Sequence, residues 1–220
     1  MYFEDIMDFS KHNIYFIMGL SRPKNNREVS KEDRVFFRYP VRSADSYSNT
    51  MRKMEADCER TGLKMYIYVS VNARDTSKAY EEFNILKAKH EAEARRGNPK
   101  ALNNMYRKLD KVWYGVCMKP NARGTKYFLL DIDNKTPELR LKLANILIAN
   151  KIDVLVERET RNGYHWIVKP FDVRLVSGIE DVGVQKDGLL YVGCTGFEDS
   201  ENEDRSDTDT LQRIQVQEQA

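Results

Sequence analysis

The feature that most constrains the fold is an apolar stretch ending in two carboxylates, residues 127–133. Its sequence, Tyr-Phe-Leu-Leu-Asp-Ile-Asp, is typical of a β-strand. Because side chains alternate between the faces of a strand, Asp131 and Asp133 point to one side and Ile132 to the other. An unpaired carboxylate is costly in a core, so the pair indicates a site for a hard divalent cation. Asp133 alone is better explained as the start of the following turn, whereas Asp131, which follows four apolar or aromatic residues, is not.

A second polar feature lies in residues 160–165, with the sequence Thr-Arg-Asn-Gly-Tyr-His. The glycine-containing turn brings a lone histidine, His165, to the start of another strand. A histidine in such a place is usually a hydrogen-bonded structural residue. Its position beside the aspartate pair makes a functional role an equal alternative.

The second half of the chain predicts alternating strands and helices. Residues 127–133, 154–159, 165–169 and 181–185 read as strands, and Pro137 opens a helix over 137–150. A short helical or irregular segment precedes residue 178, and a turn at 186–188 leads to a final hairpin strand over 189–192. This β-α-β-β-α-β order predicts an α+β fold of the ferredoxin type, shared with RNA-recognition folds.

The chain divides into three predicted regions, which are an N-terminal α/β subdomain (1–120), an RRM-like catalytic subdomain (121–196) and an acidic tail (197–220). The tail contains few apolar residues, so we expect it to be disordered. Residues 21–43 are basic with interleaved aromatics. That pattern suits either a track for single-stranded nucleic acid or an edge strand with a solvated face, and the edge strand is the simpler explanation.

The composition indicates which cellular compartment and which kinds of partner to expect. The net charge is +2, and because the tail is acidic, the rest of the chain is more basic than this total. The three cysteines are far apart and show no zinc-binding spacing, which favours a reducing cytoplasm. No apolar run is long enough to predict a membrane span.

The predicted strand order brings the polar features together. The end of strand 127–133 lies beside the starts of strands 165–169 and 181–185, which places Asp131, Asp133, His165 and Asp181 at one end of one sheet. Carboxylates there would hold Mg²⁺ or Mn²⁺ together with substrate phosphates. Cationic side chains nearby would neutralise a triphosphate, and the candidates are Arg161 and Lys169.

Three further residues are candidates for the site. Arg74 lies at a strand-to-helix corner, where it would hold a phosphate or belong to a capping network around Asp75. Asp187 and Asp172 compete with Asp181 as the third carboxylate, although Asp187 is better explained as a turn residue.

Taken in order, the motifs at 129–133, 160–165 and 179–182 resemble the core of the archaeo-eukaryotic primase superfamily, the primase-polymerase fold. The chain is also similar to small phage-encoded proteins with an Asn-Gly-Tyr-His strand entry. The resemblance covers roughly residues 60–195, and Thr160 stands where the family often has a serine. It implies that Asp131, Asp133 and Asp181 bind metal and that His165 contacts nucleotide phosphates.

We therefore expect a metal-dependent primase or polymerase that transfers nucleotides from nucleoside triphosphates on single-stranded or primed nucleic acid, with a replicative helicase as a candidate partner. The nucleotide-binding candidates are Thr160, Arg161, Asn162, Lys169 and Arg74. The alternative is a catalytically inactive RRM-like module that binds nucleic acid or protein. A rolling-circle nuclease ranks last, because it needs a histidine pair and His165 is the lone core histidine. A P-loop ATPase is excluded by the missing glycine-rich Lys-Ser/Thr loop.

Overall fold

The protein is described by a computed structural model that covers residues 2–22 and 36–196. Within these residues it is a mixed α+β fold with two antiparallel sheets and five α-helices. The α+β class predicted from the sequence is confirmed. The acidic tail (197–220) and the middle of the basic segment (23–35) lie outside the described residues.

The first sheet contains strands from both halves of the chain, in the order β2-β1-β3-β9, with a short β4 paired to the start of β1. These strands are β1 (Asn13–Ser21), β2 (Phe36–Val41), β3 (Met65–Ser70), β4 (Arg74–Asp75) and β9 (Leu189–Thr195). β1 and β3 are central and almost continuously apolar, as expected for strands covered on both faces. β2 is an edge strand, which is the simpler of the two explanations for the basic segment.

The second sheet has the order β6-β7-β5-β8, and every neighbouring pair is antiparallel. Its strands are β5 (Phe128–Ile132), β6 (Val154–Glu159), β7 (Tyr164–Val168) and β8 (Val182–Gln185). The bounds agree with the predicted strands to within one residue.

Two helices begin at residues that the sequence marks as helix starts. The Asp75 carboxylate accepts hydrogen bonds from the backbone N–H groups of Ser77 and Lys78 in the first turn of α2, and Pro137 is the first residue of α5. The five helices are α1 (Ala44–Glu59), α2 (Thr76–Arg95), α3 (Lys100–Arg107), α4 (Leu109–Cys117) and α5 (Pro137–Ala149). No helix in the described parts of the chain combines the length and apolarity needed to cross a bilayer.

The apolar contacts arrange these elements in layers. The largest cluster joins α1 and the first sheet to one face of the second sheet, where Leu129, Val156 and Ile167 are buried. A second cluster packs α5 on the opposite face of the second sheet, and a third packs α2 and α4 on the opposite face of the first. The two sheets therefore share one core.

In the C-terminal half, the predicted hairpin pairing of the last strand is wrong, and the second helix of the predicted order is shorter than expected. β9 does not return to β8 as a hairpin strand; it pairs with β3, so the last strand of the predicted 121–196 subdomain completes the first sheet. The predicted second helix is reduced to a single 3₁₀ turn, Val173–Leu175. The turn residues in the sequence correctly predict where a strand begins, but they do not determine which other strand it pairs with.

Candidate functional site

A row of polar residues crosses the second sheet. Asp131 in β5 is the direct neighbour of His165 in β7, and His165 is the neighbour of Arg158 in β6. On its other side Asp131 faces Gly183 in β8, which adds no side chain above the carboxylate. Three strands thus contribute polar side chains to one row, and the fourth strand has a glycine at the corresponding position.

The row lies at the edge of the core shared by the two sheets. The preceding row on the same face consists of Leu129, Ile167 and Val156, all buried in the shared core. Asp131 itself is half-buried, with about 30% of its side chain exposed. Asp131 thus lies next to the last buried apolar row, so its carboxylate is partly desolvated but still accessible to a ligand.

Two donors orient the Asp131 carboxylate. His165 Nε2 lies 3.2 Å from Oδ1, and Gln185 Nε2 donates to Oδ2 at 2.9 Å. The hydrogen bond from His165 is the main reason that the pKa of Asp131 is lowered, and it outweighs the opposing effect of burial. Asp131 is therefore an anion at neutral pH, with lone pairs left for another ligand.

The other side of His165 is bonded to the first sheet. The backbone N–H of Tyr191 in β9 donates to Nδ1 at 3.1 Å. An Nδ1 that accepts a hydrogen bond carries no proton, so the ring proton is on Nε2 and faces Asp131. His165 is 8% exposed, and both of its nitrogens have partners.

Asp133 and Asp181 meet beyond the ends of β5 and β8. The backbone N–H of Asp133 donates to the Asp181 carbonyl oxygen at 2.9 Å. The exposed Asp133 carboxylate has no hydrogen bond or ion pair within the described residues. Asp181 precedes β8 in a left-handed conformation (φ 61°), and its Oδ2 accepts a hydrogen bond from Asn134 at 3.0 Å.

The turn between β6 and β7 packs against this end of the sheet. Thr160 and Gly163 close the turn with two hydrogen bonds, of 2.8 and 3.1 Å, which leaves Arg161 and Asn162 exposed at its tip. A Cβ atom on Gly163 would lie 1.7 Å from the Ile132 carbonyl oxygen. Only glycine allows the turn to approach so closely.

Lys169 is not part of this site. It follows β7 at the far end from His165, and the three strand residues between them put their Cα atoms roughly 13 Å apart. Asp172 lies at that same end, where the guanidinium of Arg174 lowers the pKa of its carboxyl to about 2. The structure therefore removes Lys169 from the candidate phosphate contacts and Asp172 from the candidate third carboxylates.

Arg74 and Asp187 are paired with each other. The fully buried Arg74 guanidinium makes two hydrogen bonds of 2.8 Å to the Asp187 carboxylate. Asp187 lies in the turn after β8, at the opposite end of that strand from Asp181. Both residues link α2 and the first sheet to the β8–β9 turn, and neither lies beside Asp131.

The structure thus gathers Asp131, Asp133, His165, Asp181 and the 160–163 turn at one end of the second sheet. Across the described ranges, no group of three His, Cys, Asp and Glu side chains is placed to hold a metal ion. Sequence reasoning missed Gln185 and the Tyr191 amide. Gln185 lies on the same face of β8 as Gly183, so strand alternation could have predicted that it lies near Asp131. The Tyr191 contact depends on the pairing of β9 with β3 in the first sheet, which the sequence did not indicate.

Comparison with known proteins adds no assignment at this point: no family model matches the chain, and no curated protein or solved structure matches it.

Proposed function

We propose that the chain is a metal-dependent nucleotidyltransferase that transfers nucleotides from nucleoside triphosphates to a nucleic-acid strand. The observation that supports this most is the convergence of Asp131, Asp133 and Asp181 at one end of one sheet, beside an exposed turn with Arg161. Carboxylates at such an edge bind hard cations, and an adjacent cation suits the phosphates of a nucleotide.

The strand order supports a ferredoxin-like second sheet. The order β8-β5-β7-β6, with α5 crossing from β5 to β6, agrees with a β-α-β-β-x-β unit in which the second helix is reduced to a turn. In such a unit the first and third strands are central neighbours. Asp131 and His165 occupy those two strands, so the fold and the proposed site depend on the same arrangement.

The donor set fits a divalent cation. Asp131 is ionised and has lone pairs to spare, and the exposed Asp133 carboxylate has no partner among the described residues. Mg²⁺ takes few protein ligands and completes its shell with water and substrate phosphates, so one or two carboxylates suffice to bind it together with a nucleotide. When bound, such an ion lowers the barrier to attack by a 3′-hydroxyl.

The chain's own residues then have separate tasks. Asp131 and Asp133 would hold the cation from one face of β5, and Asp181 would add a carboxylate from the start of β8. Arg161 would neutralise the triphosphate from the turn, where it has no partner among the described residues. Thr160 and Gly163 keep that turn in place through the hydrogen bonds that close it.

A template-directed incorporation assay tests the proposal. Labelled nucleoside triphosphates are supplied with single-stranded or primed templates and with Mg²⁺ or Mn²⁺. We expect metal-dependent product from the wild type and at least about a 100-fold loss in Asp131→Ala and Asp133→Ala. Metal-dependent product that is equal in all three proteins would disprove the assignment of these ligands.

One observation favours a second candidate, an inactive module that binds nucleic acid or protein. Each Asp131 oxygen already has a side-chain nitrogen beside it, His165 Nε2 at 3.2 Å and Gln185 Nε2 at 2.9 Å, as in a structural carboxylate. This candidate predicts no product with either metal, together with binding of single strands that is unchanged by EDTA. Fluorescence anisotropy with a labelled oligonucleotide measures that binding.

A further inference from the structure

We propose that His165 and Gln185 are positioning residues that hold the Asp131 carboxylate in a fixed orientation, and that the β9 main chain anchors His165 in this role. The inference deepens the proposed function and rests on it for the catalytic consequence. It differs from the phosphate contact that the primase resemblance implies for His165.

The first step is the state of the imidazole. Because the Tyr191 amide donates to Nδ1 at 3.1 Å, the neutral ring has its proton on Nε2, 3.2 Å from Asp131 Oδ1. A phosphate contact by either nitrogen would require one of these bonds to break. The geometry therefore directs the histidine toward the carboxylate.

The second step is the opposing donor. Gln185 reaches Asp131 Oδ2 at 2.9 Å from β8, on the other side of β5 from His165. One donor on each oxygen prevents the carboxylate from rotating, and each oxygen keeps a lone pair for a cation. Hydrogen bonds of this kind to a metal ligand raise metal affinity by about 10- to 100-fold in other proteins.

The third step concerns the anchor. β9 is the outer strand of the first sheet, and a bulge places Val192 out of register with β3. At this point the Tyr191 N–H bonds to His165, and the Val192 carbonyl accepts a hydrogen bond from Arg158 at 3.0 Å. Two neighbouring side chains of the polar row are thus bonded to β9, the last strand of the first sheet within residues 2–22 and 36–196. Through these two hydrogen bonds, the main chain of the first sheet supports the site on the second sheet.

Mn²⁺ binding to the full chain, without nucleotide, tests the proposal by electron paramagnetic resonance. We expect His165→Ala and Gln185→Met each to weaken Mn²⁺ binding by about tenfold. Gln185 is exposed, so its methionine variant should fold even if the buried histidine variant does not. The matched control is His12→Ala, which removes an exposed imidazole outside the site. At saturating Mn²⁺, the KM for the nucleotide should not change in Gln185→Met.

Unchanged Mn²⁺ affinity in both variants, with a raised KM for nucleotide in His165→Ala, would overturn the positioning role in favour of a phosphate contact. Nitrogen-15 spectra of the metal-free protein give a second, independent result. We expect Nδ1 of His165 to be an unprotonated acceptor and Nε2 to be protonated, and a protonated Nδ1 in the neutral ring would overturn the proposal. A wild type with this tautomer and no nucleotide incorporation would refute the proposed function alone.

Discussion

At the residue scale, the site depends on a glycine at the β6–β7 turn. Gly163 lets the turn approach the end of β5, and a Cβ atom there would meet the Ile132 backbone. The sequence motif predicted a turn at this position. It did not show that the turn packs against the residues that lead to Asp133, because that contact joins segments about 30 residues apart.

We expect Gly163→Ala to destabilise the protein by about 2 kcal/mol or more, since a rigid backbone contact cannot yield as a side chain does. Urea denaturation measures the change in the free energy of unfolding. Gly178→Ala is the control, because a Cβ atom at Gly178 meets nothing within 4 Å. Equal stability of the two variants would contradict the close approach.

Asp131 should make stability depend on pH in the acid range. Its pKa is lowered in the folded state, so its ionised form stabilises the protein above the unfolded pKa of about 4, and this contribution is lost as pH falls through the folded pKa. Asp131→Asn should therefore cost more stability at pH 7 than at pH 3. Urea titrations at both pH values measure the two differences, and a constant difference would contradict the lowered pKa.

At the element scale, the strands were predictable and their partners were not. Alternation and apolar runs located β5, β6, β7 and β8 within one residue of the structure. The pairing of β9 with β3 depends on an edge formed by a segment more than 100 residues earlier, and the local turn at 186–188 contains no information about that edge.

The ion pair between the buried Arg74 and the partly buried Asp187 holds the β8–β9 turn, from which the chain passes from the second sheet to the first. Removing one partner leaves an uncompensated buried charge, so we expect Asp187→Ala to cost about 3 kcal/mol of stability. The double variant Arg74→Met with Asp187→Ala should recover part of that loss, because neither charge then remains. A double-mutant cycle by chemical denaturation gives the coupling, and strictly additive losses would rule out a strong pair.

At the scale of the whole molecule, the two sheets should unfold together. They share one apolar core, and β9 joins the second half of the chain to the first sheet. The predicted boundary near residue 120 divides the sequence into two regions, but residues from both regions pack in the same core.

The two tryptophans allow a direct test of this cooperativity, since Trp113 lies in α4 and Trp166 in β7. In Trp166→Phe the remaining Trp113 reports the unfolding of α4 and the first sheet. In Trp113→Phe the remaining Trp166 reports the unfolding of the second sheet. We expect each variant's fluorescence transition to coincide with its own circular-dichroism transition in urea. Separate transitions would indicate two independent domains.

The central claim is that the end of the second sheet is a nucleotidyl-transfer site. The most direct measurement compares Mn²⁺-dependent nucleotide incorporation by the wild type with two charge-matched variants, Asp131→Asn and Asp153→Asn. Asp153 is an exposed carboxylate at the opposite end of the sheet, just before β6. We predict that Asp131→Asn loses at least about 100-fold of the activity and that Asp153→Asn retains it. Equal activity in both variants, or none in the wild type, would contradict the claim.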